Sequence, residues 1–112
     1  MKIEEVARII NAKVPAGENL LDREVDSAFS SDMMSDVLAF SKDQPVLLTG
    51  LNNPQAVRTA LMMDMECVVF VRGKYPTPEM INLAEQSQIV LLSTALTMYE
   101  ASGRLYQAGL HR

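Results

Sequence analysis

The chain has little cysteine or histidine, with one of each among its 112 residues and no tryptophan. A lone cysteine, Cys67, cannot form a disulfide within the chain. His111 lies next to the last residue, and Cys67 lies in an apolar run, so both are poorly placed for a Cys–His or Ser–His relay. We therefore predict no catalytic residue and no enzyme. A carboxylate general base from Asp32 or Asp36 is the enzymatic alternative.

The sequence also lacks long apolar runs and dense basic clusters. No run approaches the ~20 apolar residues that span a bilayer, and the acidic start at residues 1–5 does not resemble a signal peptide. The net charge is -4 and the basic residues are scattered. Nucleic acids and anionic membranes are therefore not expected partners, because both are bound through a dense basic face. We predict a cytoplasmic location.

Glycine is scarce, and its spacing excludes two phosphate-binding motifs. The Gly73–Lys74 pair has Val68 where a Walker loop needs glycine, and Tyr75 follows it where that loop needs serine or threonine. No glycines show the Gly-x-Gly-x-x-Gly spacing of a dinucleotide fold. The chain also has no iron–sulfur ligand set. We predict no cofactor and no metal.

Three apolar runs are present, at residues 46–48, 67–71 and 89–92, and each is followed by a polar or glycine-bearing loop and a helix-like stretch. This order is typical of a parallel sheet with helices on both faces. Shorter strand-like segments near residues 13–15 and 25–29 precede them. We predict an α/β fold, a three-layer α/β/α arrangement with a mostly parallel central sheet, as a single domain over residues 1–112.

Capping residues mark the predicted helix starts. Ser31 and Asp32 are expected to cap a helix over residues 33–41, and the Asn-Pro and Thr-Pro pairs at 53–54 and 77–78 are expected to begin two more. Ser93 and Thr94 are expected to cap the last helix. Its predicted buried stripe, in which Gly103 marks a close approach to another backbone, comprises Leu96, Tyr99, Gly103, Tyr106 and Leu110.

The loops that follow the apolar runs form the best candidate site. In a parallel sheet these loops meet at one edge, where helix N-termini and cationic side chains hold anions. We call this the strand-end site, and its predicted ligand-binding residues are Thr49, Gly50, Asn52, Asn53, Arg72, Gly73, Lys74, Ser93 and Thr94. The alternative is that these residues only end strands and start helices, with both cations solvated.

Two other groups have a structural and a functional interpretation. Asp32 and Asp36 are four residues apart and would either hold a hard cation or offset a helix dipole. The methionines at 33–34, 62–63 and 65 would either fill a core or a dimer interface, or form an adaptable binding surface.

Four segments, at residues 32–38, 48–58, 70–74 and 102–106, resemble the small stand-alone DRTGG-domain proteins. That family is related to the amino-terminal domain of HPr kinase/phosphorylase. The family's Asp-Arg pair falls about where this chain has Asn52-Asn53, and its Thr-Gly-Gly about where it has Arg72-Gly73.

The resemblance implies a three-layer α/β fold like that of the HPr kinase amino-terminal domain. It also implies a regulatory or oligomerising role, which the domain has beside kinase, acetyltransferase or pyrophosphatase modules. We predict a non-catalytic regulatory or ligand-sensing domain, a homodimer that binds a small anionic ligand. The alternative is a dimerisation or protein-interaction module, associated with a redox or hydrogenase system, that has no small-molecule ligand.

Overall fold

Helices and strands alternate along the chain in the computed structural model, which describes residues 1–111. The elements are α1 (Ile3–Ile9), β1 (Lys13–Ala16), a 3-10 turn (Glu18–Leu20), β2 (Ala28–Ser30), α2 (Met34–Phe40), β3 (Val46–Thr49), α3 (Pro54–Met62), β4 (Cys67–Phe70), α4 (Pro78–Ser87), β5 (Val90–Ser93) and α5 (Met98–Gln107).

The five strands form one sheet in the order β1-β5-β4-β3-β2. β2, β3, β4 and β5 run parallel to one another. β1 pairs with β5 in the antiparallel direction. Every residue of the three central strands is buried, because helices cover both faces of the sheet. The predicted α/β fold with a mostly parallel sheet is confirmed.

The core has two halves, one on each face of the sheet. Leu48, Val69 and Leu92 pack under α1 and α5, whereas neighbours such as Leu47 and Val68 pack under α2, α3 and α4. Because successive strand residues point to opposite faces, an unbroken apolar run fills both halves. This is the three-layer arrangement that the apolar runs predict.

Two of the predicted helix starts are confirmed. The Asn53 side chain accepts a hydrogen bond from the Gln55 amide at 2.8 Å, and Thr77 accepts one from the Met80 amide at 3.3 Å. In both helices proline occupies the first turn, where its missing N–H costs nothing.

The predicted cap of α5 is wrong. Thr97, not Ser93 or Thr94, caps this helix by accepting from the Glu100 amide at 3.2 Å. Ser93 and Thr94 instead donate to the backbone carbonyls of Lys74 and Ile10.

The stripe predicted for α5 is wrong in its tyrosines, although Leu110 is buried and Leu96 packs against the core, just beyond the two ends of this helix. Ala101 and Leu105 are its buried residues, whereas Tyr99 and Tyr106 are 90% and 66% exposed. A Cβ added to Gly103 would meet nothing within 4 Å, so no backbone approaches it closely within the described chain. The apolar spacing predicted the wrong face because tyrosine, with its polar hydroxyl, is often exposed to water. Ala101 is small, so it contributes little to a hydrophobic pattern.

Helix α2 begins differently from the prediction. Met33 occupies the N-cap position and makes no side-chain cap bond, while the Ser31 hydroxyl accepts from the Met33 amide at 3.0 Å. Asp32 precedes the helix and does not cap it, because its carboxylate turns toward the end of β3.

Cys67 lies at the start of β4 and is fully buried. Burial raises the pKa of its thiol well above the usual range, and the adjacent Glu66 charge acts in the same direction. We expect the native protein to resist a thiol reagent such as dithionitrobenzoate at neutral pH, because the thiolate is the reactive form. One equivalent should react after unfolding in guanidinium. Rapid labelling of the native protein would contradict this account of the core.

Candidate ligand site at the strand ends

The four parallel strands end at one edge of the sheet, and their loops meet there as predicted. The Val71 amide donates to the Thr49 carbonyl at 3.1 Å, and the Asn52 side-chain nitrogen donates to the Tyr75 carbonyl at 3.1 Å. The loop after β3 is therefore tied to the loop after β4.

The loop after β4 turns sharply and presents two cations. Arg72 and Gly73 both have left-handed backbone conformations, with φ of 59° and 73°. Their amides donate to the carbonyls of Leu96 and Thr94 at 2.8 and 2.9 Å, which fastens this turn to the segment after β5. Left-handed geometry is uncommon for a residue with a side chain, so these two bonds hold Arg72 in place against a conformational cost.

The Arg72 guanidinium lies over Gly50. A Cβ on Gly50 would collide with the guanidinium nitrogen and would come within 3.3 Å of an Asp32 carboxylate oxygen. The absence of a side chain at Gly50 therefore lets both charged groups approach the same point. Among residues 1–111, neither the Arg72 nor the Lys74 side chain has a hydrogen-bond or ion-pair partner, and both residues are exposed.

The three hydroxyl residues of the strand-end site point inward. Thr49, Ser93 and Thr94 are at most 7% exposed. Thr94 donates to the Ile10 carbonyl at 2.7 Å, and Ser93 donates to the Lys74 carbonyl at 2.5 Å. Their hydroxyls thus fix the loops to one another, which is a positioning role.

Most of the loop amides are also engaged within the chain. The Leu51 amide donates to the Thr49 hydroxyl at 3.0 Å, the Gln55 amide to Asn53, and the Gly50 amide to Asp32. These three amides are therefore not free to bind a ligand. What the site offers to an anion is the pair of exposed cationic side chains.

Asp32 adjoins the strand-end site but is not among its predicted residues. One carboxylate oxygen accepts from the Gly50 amide at 2.6 Å and from the Thr49 hydroxyl at 3.3 Å. Its position in the loop after β2 indicates this location, because every loop that follows a parallel strand lies at the same edge of the sheet.

The cation-binding interpretation of Asp32 and Asp36 finds no support. Asp36 lies in the first turn of α2, whereas Asp32 lies before that helix. Within residues 1–111, no three histidine, cysteine or acidic side chains are grouped so as to hold a metal ion. None of the helices in that range has the length and apolar composition needed to cross a membrane.

Together these features define a small α/β/α domain with two unpaired cations at the carboxyl edge of its sheet. The family model of the DRTGG domain matches residues 5–108, so the chain belongs to the DRTGG domain family. The predicted membership is confirmed, while the relation to HPr kinase/phosphorylase stays a prediction.

A solved structure with a similar fold is the regulatory region of Clostridium perfringens pyrophosphatase, which contains CBS and DRTGG domains and is complexed with its activator diadenosine tetraphosphate. The TM-score is 0.79 at 16% sequence identity, which shows a shared fold. The match covers 97% of this chain and 47% of that one, so this chain spans about half its length. No curated protein sequence matches the chain.

Proposed function

We propose that this protein is a non-catalytic, cytoplasmic regulatory or ligand-sensing domain that binds a small anionic ligand at the strand-end site. The observation that carries the proposal is the pair Arg72 and Lys74, exposed and unpaired at the edge where four parallel strands end. A guanidinium binds phosphate or carboxylate through parallel N–H bonds, and an ammonium adds a mobile charge.

The rigidity of the loop supports this function. The amides of Arg72 and Gly73 are both bonded to the segment after β5, so the backbone of this loop is already ordered and only the side chains have to be ordered when a ligand arrives. The pyrophosphatase neighbour adds indirect support, because its regulatory region is complexed with a polyphosphate activator. A ligand with several negative charges would suit two cations that are two residues apart on a chain whose net charge is negative.

A thermal-shift screen of phosphates, nucleotides and carboxylates tests this function. A ligand at a hundredfold excess over its Kd stabilises the native state by about 2.7 kcal/mol, which is readily measured. Lys74→Ala should reduce the shift, whereas Lys42→Ala, which removes the same charge near the opposite edge of the sheet, should not. The function is contradicted if no compound raises the melting temperature.

A second candidate function rests on exposed apolar side chains on α2, at its N-cap and on α3. We call these five residues, which are 45–66% exposed, the apolar helix patch: Met33, Leu38, Phe40, Leu61 and Met62. Large apolar side chains exposed on neighbouring helices are a common feature of interaction sites. We propose that a second copy of the chain covers the patch and forms a homodimer. The redox or hydrogenase partner that the resemblance implies stays a prediction.

The dimer can be tested separately from the ligand. Because α2 and α3 each connect neighbouring parallel strands, their C-terminal ends lie at the edge opposite to the strand-end site. We expect Phe40→Lys and Met62→Lys to convert a dimer to a monomer in analytical ultracentrifugation, because a buried unpaired charge is costly. Tyr99→Lys, on the other face of the sheet, is the control. A wild-type monomer at high concentration would exclude this dimer.

A further inference from the structure

The Asp32 carboxylate bonds to a backbone amide in the loop after β3. Its carboxylate oxygen Oδ1 accepts from the Gly50 amide at 2.6 Å, a short bond of the kind made to a charged acceptor. The Thr49 hydroxyl donates to the same oxygen at 3.3 Å and helps to orient the group. The other oxygen, Oδ2, has no hydrogen-bond partner among residues 1–111, and the residue is exposed.

This contact alters what the strand-end site can bind. Without Asp32, the Gly50 amide would be a free backbone donor in the loop after β3, and loop amides of this kind can bind oxyanions. Because the Gly50 amide already donates to Asp32, a simple oxyanion that approaches it would find the donor occupied and would be repelled by the carboxylate. A ligand hydroxyl has the opposite relation to the carboxylate, because Oδ2 can accept its hydrogen.

We propose that Asp32 is a specificity-determining residue of the strand-end site: it excludes simple oxyanions from the Gly50 amide and selects phosphate esters whose hydroxyl groups donate to its free oxygen. This inference rests on the proposed function, because it requires Arg72 and Lys74 to bind the phosphate. Asp32 would then accept hydrogen bonds from the hydroxyl groups of the attached sugar. The chemistry shared by such ligands is a phosphate joined to a polyhydroxy group, as in a sugar phosphate or a nucleotide.

The test compares inorganic phosphate, ribose 5-phosphate and AMP by isothermal titration calorimetry on the full chain. Wild type should bind the two esters more tightly than inorganic phosphate. Asp32→Ala frees the amide and removes the charge, so it should raise the affinity for inorganic phosphate about tenfold and lower the affinity for both esters. Tighter binding of AMP than of ribose 5-phosphate would identify a nucleotide, and equal binding would identify the sugar phosphate as the recognised part.

Two further variants distinguish the effect of freeing the Gly50 amide from the effect of removing a negative charge. Asp32→Asn keeps an acceptor for the Gly50 amide and should preserve the fold, so its gain in phosphate affinity should be smaller than that of Asp32→Ala. Asp36→Asn removes an exposed carboxylate from α2 and should change phosphate affinity by less than about twofold. An equal gain in phosphate affinity in all three variants would show that only the loss of a negative charge matters, and would overturn the proposal.

The remaining outcomes distinguish this inference from the function on which it rests. If wild type binds the esters but Asp32→Ala gains no phosphate affinity, the role of Asp32 is wrong and the proposed function stands. If wild type binds no ester while Asp32→Ala gains phosphate, the proposed ligand function fails, and the exclusion of oxyanions by Asp32 is supported.

Discussion

Gly17→Ala is expected to lower the free energy of unfolding by about 3 kcal/mol. Gly17 has a left-handed backbone with φ of 84°, and an added Cβ would lie 2.8 Å from the Val90 Cα and 2.9 Å from its Cγ2. The first contact is with backbone in a central strand, so no flexible side chain can move aside. The left-handed cost of about 1–2 kcal/mol adds to the overlap.

Thermal unfolding followed by circular dichroism measures this effect, and the melting temperature should fall by about 10–15 °C. Gly103→Ala is the matched control. Because Gly103 lies in α5 with open space where a Cβ would be, alanine there should stabilise the protein by about 0.5–1 kcal/mol. A Gly17→Ala protein as stable as wild type would show that the turn before the 3-10 helix does not approach β5 as described.

Arg72→Glu is expected to weaken ligand binding about 100-fold, as a charge-assisted hydrogen bond is lost and a repulsive charge is gained. The protein should unfold at nearly the wild-type temperature, because the Arg72 side chain is exposed and makes no hydrogen bond or ion pair within residues 1–111. Calorimetric titration with AMP, together with a melting curve, measures both quantities.

Gly50→Ala provides an independent check on Arg72. The added methyl would displace the guanidinium, which is the flexible end of a side chain, so affinity should fall several-fold with little loss of stability. Lys42→Ala should leave affinity unchanged. Unchanged binding in Arg72→Glu would remove Arg72 from the site.

The sheet was predictable from sequence because β3, β4 and β5 are buried on both faces and therefore appear as unbroken apolar runs. Helix starts were predictable where a cap and a proline coincide, as at Asn53 and Thr77. The buried face of α5 was not predictable, because it consists of Ala101 and Leu105 while the two tyrosines of this helix are exposed.

The strand-end site was predictable in position but not in detail. Parallel topology alone brings Gly50 and Arg72 to one edge, whereas the direction of each hydroxyl depends on contacts distant in sequence, such as that of Thr94 with Ile10. The bond from the Gly50 amide to Asp32 spans 18 residues, and no local pattern indicates it.

We infer above all that an anionic ligand binds to the cations at the carboxyl edge of the sheet. Titration of ¹⁵N-labelled protein with AMP, followed by amide chemical shifts, tests it most directly. We predict saturable shifts concentrated at residues 50–53 and 72–75, and their loss in Arg72→Glu. Shifts confined to the apolar helix patch, or no shifts at millimolar AMP, would contradict the claim.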